Sequence, residues 1–583
     1  MGQRLGQALG LLFLGLILAF SGVSDVAAAV KNPQTYVYAG FGDVDTLDYA
    51  VAYDGGSGLV IANIYETLID FEGVHLDRFV PLLTTAVPTV RNGLISPDGR
   101  TYTFPIRQGV RFHDGTPMTT EDVAYSLRRF LLIGGPPSPL LLEPILGLYH
   151  IGDQQGRLAF TFAELQRAVR VQGQNVIVTL KEPFGTFLSI VAGWSFVVSR
   201  RWARANGDWD GTAATMARYA NAPKESTAFF ERANGTGPFK LERWDRPGRQ
   251  IVLARHDAYW RTPARLARVV LQTVPEAATR VLMLKAGDAD AISLSRRELP
   301  LVEDAPGVRI VDDLPDPAFM PAVLWFVMDV ETAGSPYVGS GWLDGNGIPG
   351  NFFADVHVRR GFGFAFDYQT FIADAFRGKA ITARGMFTPG MMGYRPRQEY
   401  FTFDREKAIA EFKAAWGGTV WERGFRLTVV HGAGAAAREV GARILKDGIE
   451  SLNPKFRVDI HSLISSTFLG ELGRHRIPVF LSPFLADYPD PHNFAFNFLH
   501  SQSMRIQRYQ TPADVDRLII DALREPDPRK RESLYVEVNR KYFELAPSIA
   551  MATAVSFRVQ RDWVRGWYWN PIRFDRFYDI WKG

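Results

Sequence analysis

DGRTYTFPIRQGVRFHDGTPMTTEDVAYSLRRF, residues 98–130, is strand, turn and helix in quick succession. Tyr102, Phe104 and Ile106 alternate with Thr101, Thr103 and Pro105, the period-two pattern of a half-buried strand. Pro105 has no N–H to give to a ladder, so this strand belongs at a sheet edge. Asp114-Gly115 marks a turn. Thr119 is placed as a helix N-cap, with Asp122 three positions on completing a capping box. Val123, Leu127, Phe130 and Leu131 then share one helical face.

The order of residues is more specific than their periodicity. Arg107-Gln-Gly-Val-Arg-Phe-His-Asp-Gly-Thr-Pro117, followed by Glu121-Asp-Val-Ala-Tyr-Ser126, resembles the signature of solute-binding protein family 5. That family holds the peptide receptors of bacterial ABC importers, with relatives that carry nickel, oligosaccharides or opines. Leu47-Asp48 with Asn63-Ile-Tyr-Glu-Thr-Leu68 resembles its opening motif, with Tyr49 where proline is usual. Asn234-Gly-Thr-Gly-Pro-Phe239, then Trp244 and Tyr259-Trp260, is similar to its second strong motif.

The resemblance implies an α/β chain with the two-lobed periplasmic binding protein fold (type II, cluster C) and an additional satellite subdomain in the first lobe. On this basis residues 30–72, 190–275 and 546–583 make the first lobe, 73–189 the satellite and 276–545 the second lobe. Local patterns add detail. Val60 to Leu68 is expected to be helical, with Ile61, Ile64 and Leu68 inward. Gly361 and Gly363 interrupt a helix expected over Asp355–Asp367, each at a cost of about 1 kcal/mol against alanine, which points to close packing there.

At 583 residues the chain exceeds one ordinary core. Its 46% hydrophobic and 22% charged content is that of a globular protein, and its +4 formal charge comes from 66 basic and 62 acidic residues spread along the chain. A nucleic-acid binder would gather its basic residues into a stripe, so no nucleic acid is expected as a partner. Residues 1–29 read as a cleaved signal peptide: Arg4, an apolar run from Ala8 to Val23, and the small-residue site Ala27-Ala28-Ala29. About 16 apolar residues is short for a bilayer span. There is no cysteine, which excludes a lipid-modified cysteine, disulfides and thiolate chemistry. The expected location is the periplasm.

No catalytic constellation emerges: neither an HExxH pair, a GxxxxGK[ST] loop nor a strand-linked GxGxxG. No enzyme activity, cofactor or metal is therefore expected. His113 lies in the signature turn and reads as structural. Phe484-Leu-Ala-Asp487-Tyr488-Pro-Asp-Pro491 follows an apolar strand, Val479 to Leu481. In the peptide-binding branch the matching stretch reads G-W-x-x-D-x-x-x-P, and its aspartate holds the ligand's α-amino group. The resemblance carries this role to Asp487, with Phe484 at the tryptophan position and Pro483 where glycine is usual; the plain alternative is that Asp487 caps the turn. Tyr488 and His431 complete the expected ligand-binding set. Dipeptide receptors place an arginine for the ligand carboxylate in the stretch matching Val429–Ala437, which here reads VVHGAGAAA and has none.

The expected function is a monomeric periplasmic receptor that captures peptides by hinge closure and delivers them to an ABC permease and ATPase complex. A receptor for an oligosaccharide, an opine or a nickel chelate is the alternative, the last resting on His431 and His461. From another class, a secreted peptide-binding chaperone or signalling receptor fits the same sequence.

Overall fold

The computed structural model describes residues 30–40, 42–153, 156–503 and 509–583; the signal segment 1–29 lies outside them. Thirteen strands build its two main sheets. In chain order they are β1 (Thr35–Gly40), β2 (Phe239–Asp245), β3 (Gln250–Arg255), β4 (Arg268–Thr273), β5 (Ala291–Ile292), β6 (Val308–Leu314) and β7 (Phe319–Phe326). They continue as β8 (Ala380–Thr382), β9 (Phe425–Gly432), β10 (Phe456–Leu463), β11 (Val479–Leu485), β12 (Ser548–Ala554) and β13 (Ser556–Arg561). The first sheet runs β6-β13-β5-β1-β4-β3-β2 and the second β8-β12-β7-β11-β9-β10.

Sheet membership moves the lobe boundaries expected above. β5 and β6 stay in the first sheet and β12 joins the second, so the chain crosses at residues 315–318 and at Val555, not near residues 276 and 546. Apolar alternation announces a strand but carries no information about its pairing partner. The two crossings lie side by side, because Leu314 pairs with Ser556. Surface ion pairs flank them: Lys379 reaches Asp313 at 2.7 Å, and Arg377 pairs with Glu303.

The stretch 98–130 folds largely as its local chemistry dictates. Thr101–Pro105 is the outer strand of a three-stranded sheet, laddered to Asn175–Thr179, with a single bridge from Tyr102 to Ile95 on its other side. Helix α1 (Thr120–Ile133) is capped by Thr119 and Asp122 reciprocally, and Val123, Leu127, Phe130 and Leu131 are buried. This region has no core of its own. One apolar cluster runs from Tyr36 and Leu271 in the first sheet through Phe130 and Leu131 to Phe104 and Val178. The early helix differs from expectation: Asp54 caps it and it spans Gly55–Ile64, so Leu68 is buried from a following extended segment.

The three sequence motifs meet in a single junction, where Gly237 N–H donates to Ile64 O at 3.1 Å. The His113 N–H donates to Gly235 O (2.9 Å), while Gly235 N–H donates to His113 Nδ1 (3.2 Å). With Nδ1 accepting, Nε2 carries the proton and donates to Gly237 O at 3.1 Å. Burial pushes this imidazole down to about 3, so it is neutral and structural. A Cβ on Gly235 would come within 2.0 Å of Ile64 O, which is why only glycine fits there. The Asp48 of the opening motif is held separately: buried Arg129 of α1 bridges Asp48 (2.6 and 2.8 Å) and Asp208 (2.8 Å). Burial would raise the Asp208 carboxyl, but the Arg129 guanidinium outweighs it and holds that group below the usual range. In the second lobe, Gly361 and Gly363 lie in the helix Val356–Phe364, and Cβ atoms there would meet the Phe412 ring at 2.9 Å and the Phe401 ring at 2.6 Å. The helical cost of these glycines is offset by aromatic packing.

Candidate ligand-binding site

β9 and β11 run parallel as neighbours, with Val429 opposite Val479 and His431 opposite Leu481. The chain therefore leaves both strands at the same edge of the second sheet, the carboxyl edge at which α/β folds bind ligands. Beyond β9 comes helix α2 (Ala436–Glu450); beyond β11 come Asp487 and helix α3 (Pro491–Leu499).

Asp487 is held from both lobes. Within the second lobe its N–H donates to Asn493 Oδ1 (3.0 Å), and Asn493 Nδ2 donates to Asp487 Oδ2 (3.3 Å). From the first lobe the Tyr53 hydroxyl donates to the same Oδ2 at 2.8 Å, and the Trp194 indole N–H reaches Asp487 O at 3.4 Å. Capping of α3 falls to a different residue, Asp490, which accepts from His492 N–H and pairs with Arg531 at 2.8 Å. The same helix touches the first lobe again, where His492 Nε2 meets Glu143 at 3.1 Å and Phe496 stacks on Tyr149 at 5.0 Å.

The other expected site residues are distributed differently. Phe484 is fully buried against Phe494 (5.0 Å) and Phe498 (4.8 Å), inside the second lobe's core. Alternation along β11 puts its ring under α3. Tyr488 is also buried, 3% exposed, but its ring joins the first lobe's apolar cluster, so it bridges the lobes. Burial raises its phenol well above the ordinary value. His431 is 4% exposed, with Nδ1 against Gly432 O at 3.1 Å, and burial lowers its imidazole. It lines an open cavity of about 320 Å³ with Gly434, Glu439, Arg443, Ile460 and Ser462. His461 pairs with Val430 and His431 with Ser462, so the two imidazoles leave opposite faces of the sheet and do not form a ligand pair. Among the described residues no three His, Asp or Glu side chains gather as a metal site.

Arg438 was not among the expected residues. It lies in the first turn of α2, one position beyond the arginine-free stretch 429–437, with Nη2 3.9 Å from where a Cβ on Gly432 would stand. No acid pairs with it among the described residues, and its Nε is buried without a hydrogen-bond partner. Burial pushes the guanidinium down to about 10. A half-buried cation with no acid beside it among the described residues is costly to hold, which makes it a candidate for an anion supplied from outside the chain. The signal was an arginine directly after a run of small residues at a strand-to-helix junction.

A cleft edge carrying a carboxylate after one strand and an unpaired guanidinium after its neighbour suits a ligand with both charges. The family model described as Bacterial extracellular solute-binding proteins, family 5 Middle matches residues 78–505. The chain belongs to this family. This solute-binding protein is 24% identical over 592 residues to the dipeptide-binding protein of Escherichia coli K12, covering 98% of each chain. Its fold matches that of the binding protein DppA from Helicobacter pylori in complex with the peptide STSA (TM-score 0.74, 21% identity, 94% of this chain and 98% of that one). It also matches a dipeptide-binding protein from Pseudoalteromonas sp. SM9913 in complex with Met-Leu (TM-score 0.73, 20% identity, 94% and 100%). In this solute-binding protein the two lobes meet at Asp487, which bonds Tyr53 of the first and Asn493 of the second.

Proposed function

We propose that the chain is the periplasmic receptor of an ABC importer and that it captures short peptides with free termini, handing them to a permease and its ATPases. The observation that carries the ligand class is the pairing of opposite charges on neighbouring strand ends: Asp487 after β11 and the unpaired Arg438 after β9. Asp487 takes the α-ammonium through charge-assisted hydrogen bonds, and Arg438 takes the carboxylate. The peptide relatives named above support this reading. No catalytic step is proposed; binding is reversible and closure of the lobes around the ligand is the working motion.

The test is calorimetry with the dipeptide Met-Leu, its N-acetyl form and its C-terminal amide. Each ionic contact contributes about 1.5–3 kcal/mol, so either modification should weaken binding by about tenfold or more. Asp487→Ala should remove the effect of acetylation, and Arg438→Met the effect of amidation. Equal affinity for all three ligands would refute the assignment.

A further inference from the structure

We infer that the satellite subdomain is one half of a latch: Glu143, Tyr149 and Phe184 receive one face of α3 and hold the lobes together whatever the ligand. This rests on the lobe closure proposed above. α3 carries two apolar faces. Phe494 and Phe498 belong to the second lobe's own core, against Phe484. His492 and Phe496, four positions apart and therefore on one side of the helix, meet the first lobe, with His500 at the C-cap. His492 is fully buried; its Nε2 donates to the Glu143 carboxylate at 3.1 Å, and the Phe184 ring meets the imidazole edge-on at 5.8 Å. Phe496 stacks on Tyr149 at 5.0 Å, and Tyr149 also reaches the His500 ring at 5.3 Å.

The receiving side is built into the first lobe. The helix Pro139–Leu146 carries Glu143 and buries Leu141, Leu142 and Ile145 in the apolar cluster that reaches the first sheet, and Phe184 belongs to the same cluster. Each half of the seam is thus fixed to its own lobe's core, and a rigid-body opening parts the halves without deforming either. Closing gains apolar burial, an aromatic stack and a charge-assisted hydrogen bond; opening returns all three to water. The seam contains neither Asp487 nor Arg438, so this gain is the same for every ligand. It sets how long a bound solute stays, while the solute's termini are read elsewhere.

A contact made only on closure slows escape and leaves encounter unchanged. Stopped-flow binding to Tyr149→Ala should show dissociation of Met-Leu and of N-acetyl-Met-Leu faster by about tenfold, by the same factor for both, with association unchanged. Tyr149→Phe keeps the ring and should restore wild-type rates. Phe496→Ala reads the same stack from the other lobe if Tyr149→Ala fails to fold. A measurement without ligand keeps the latch apart from the peptide reading. The chain has no cysteine, so Glu143→Cys with His492→Cys can be joined by a short bis-maleimide across the seam alone, and adding Tyr149→Ala should slow that joining several-fold. If wild type binds Met-Leu and both truncations leave its dissociation unchanged, the latch is refuted and the peptide reading stands. If wild type does not bind Met-Leu, the peptide reading fails and cross-linking decides the latch: slower joining supports it, and an equal rate overturns it. Faster dissociation of Met-Leu alone would overturn the claim that the latch acts on every ligand alike.

Discussion

The Ser556 hydroxyl donates to the Asp316 carboxylate, joining the two places where the chain passes between the lobes. Asp316 Oδ1 is buried without a partner, and burial raises the carboxyl to about 7 despite hydrogen bonds from Ser556 and the Ala318 N–H that lower it.

That shift has a defined sign. The folded state holds the Asp316 proton more tightly than the unfolded chain, so its contribution to stability is complete below about pH 4 and is lost as pH rises through about 7. A rise of about three units corresponds to about 4 kcal/mol at most. Asp316→Asn is permanently neutral and nearly isosteric. Its melting temperature should exceed that of wild type at pH 8 by several degrees, and the difference should shrink steadily below pH 7 and vanish only near pH 4. Parallel melting curves across that range would show that Asp316 titrates normally.

Arg438→Met should separate stability from affinity. Methionine retains much of the stem and removes a half-buried cation that no acid among the described residues pairs, so the ligand-free variant should unfold at equal or higher denaturant concentration than wild type. Affinity for Met-Leu should fall by about tenfold or more. A loss of stability together with unchanged affinity would make Arg438 a structural residue.

Phe484→Ala should behave in the opposite way. Removing a fully buried ring costs about 3–5 kcal/mol, read as a lower denaturation midpoint, whereas affinity per folded molecule should hold. A binding defect at full stability would return Phe484 to the ligand site.

Gly235→Ala should disrupt the junction of the His113 turn with the Asn234–Phe239 segment, because its Cβ would collide with backbone and not with a movable side chain. Soluble yield and melting temperature should both drop, and His113→Asn should be milder because its neighbours can rearrange. Wild-type behaviour of Gly235→Ala would show that the segment can shift at little cost.

What was legible in the sequence was mostly local. Thr119 and Asp122 cap a helix through contacts three residues apart, and Gly287 ends the helix Ala277–Ala286 in a left-handed conformation that glycine adopts freely. The family signature then supplied the two-lobed plan. The lobe assignments of β5, β6 and β12 were not legible, because pairing joins strands hundreds of residues apart. The burial of Phe484 under α3 was not legible for a related reason: alternation separates two faces of a strand without saying which one a helix covers. Arg438 escaped notice by one residue, and its lack of a partner is a property of three-dimensional surroundings that no window of sequence displays.

The crossing at Val555 is one residue long. Consecutive Cα atoms are about 3.8 Å apart, so this tether has no slack, and the second crossing is anchored to it by the pairing of Leu314 with Ser556. Translation of one lobe relative to the other is therefore blocked, and twist about the long axis is resisted by two adjacent tethers. Swinging about the pair is the degree of freedom that remains. Any closure of the lobes must then retrace that one arc.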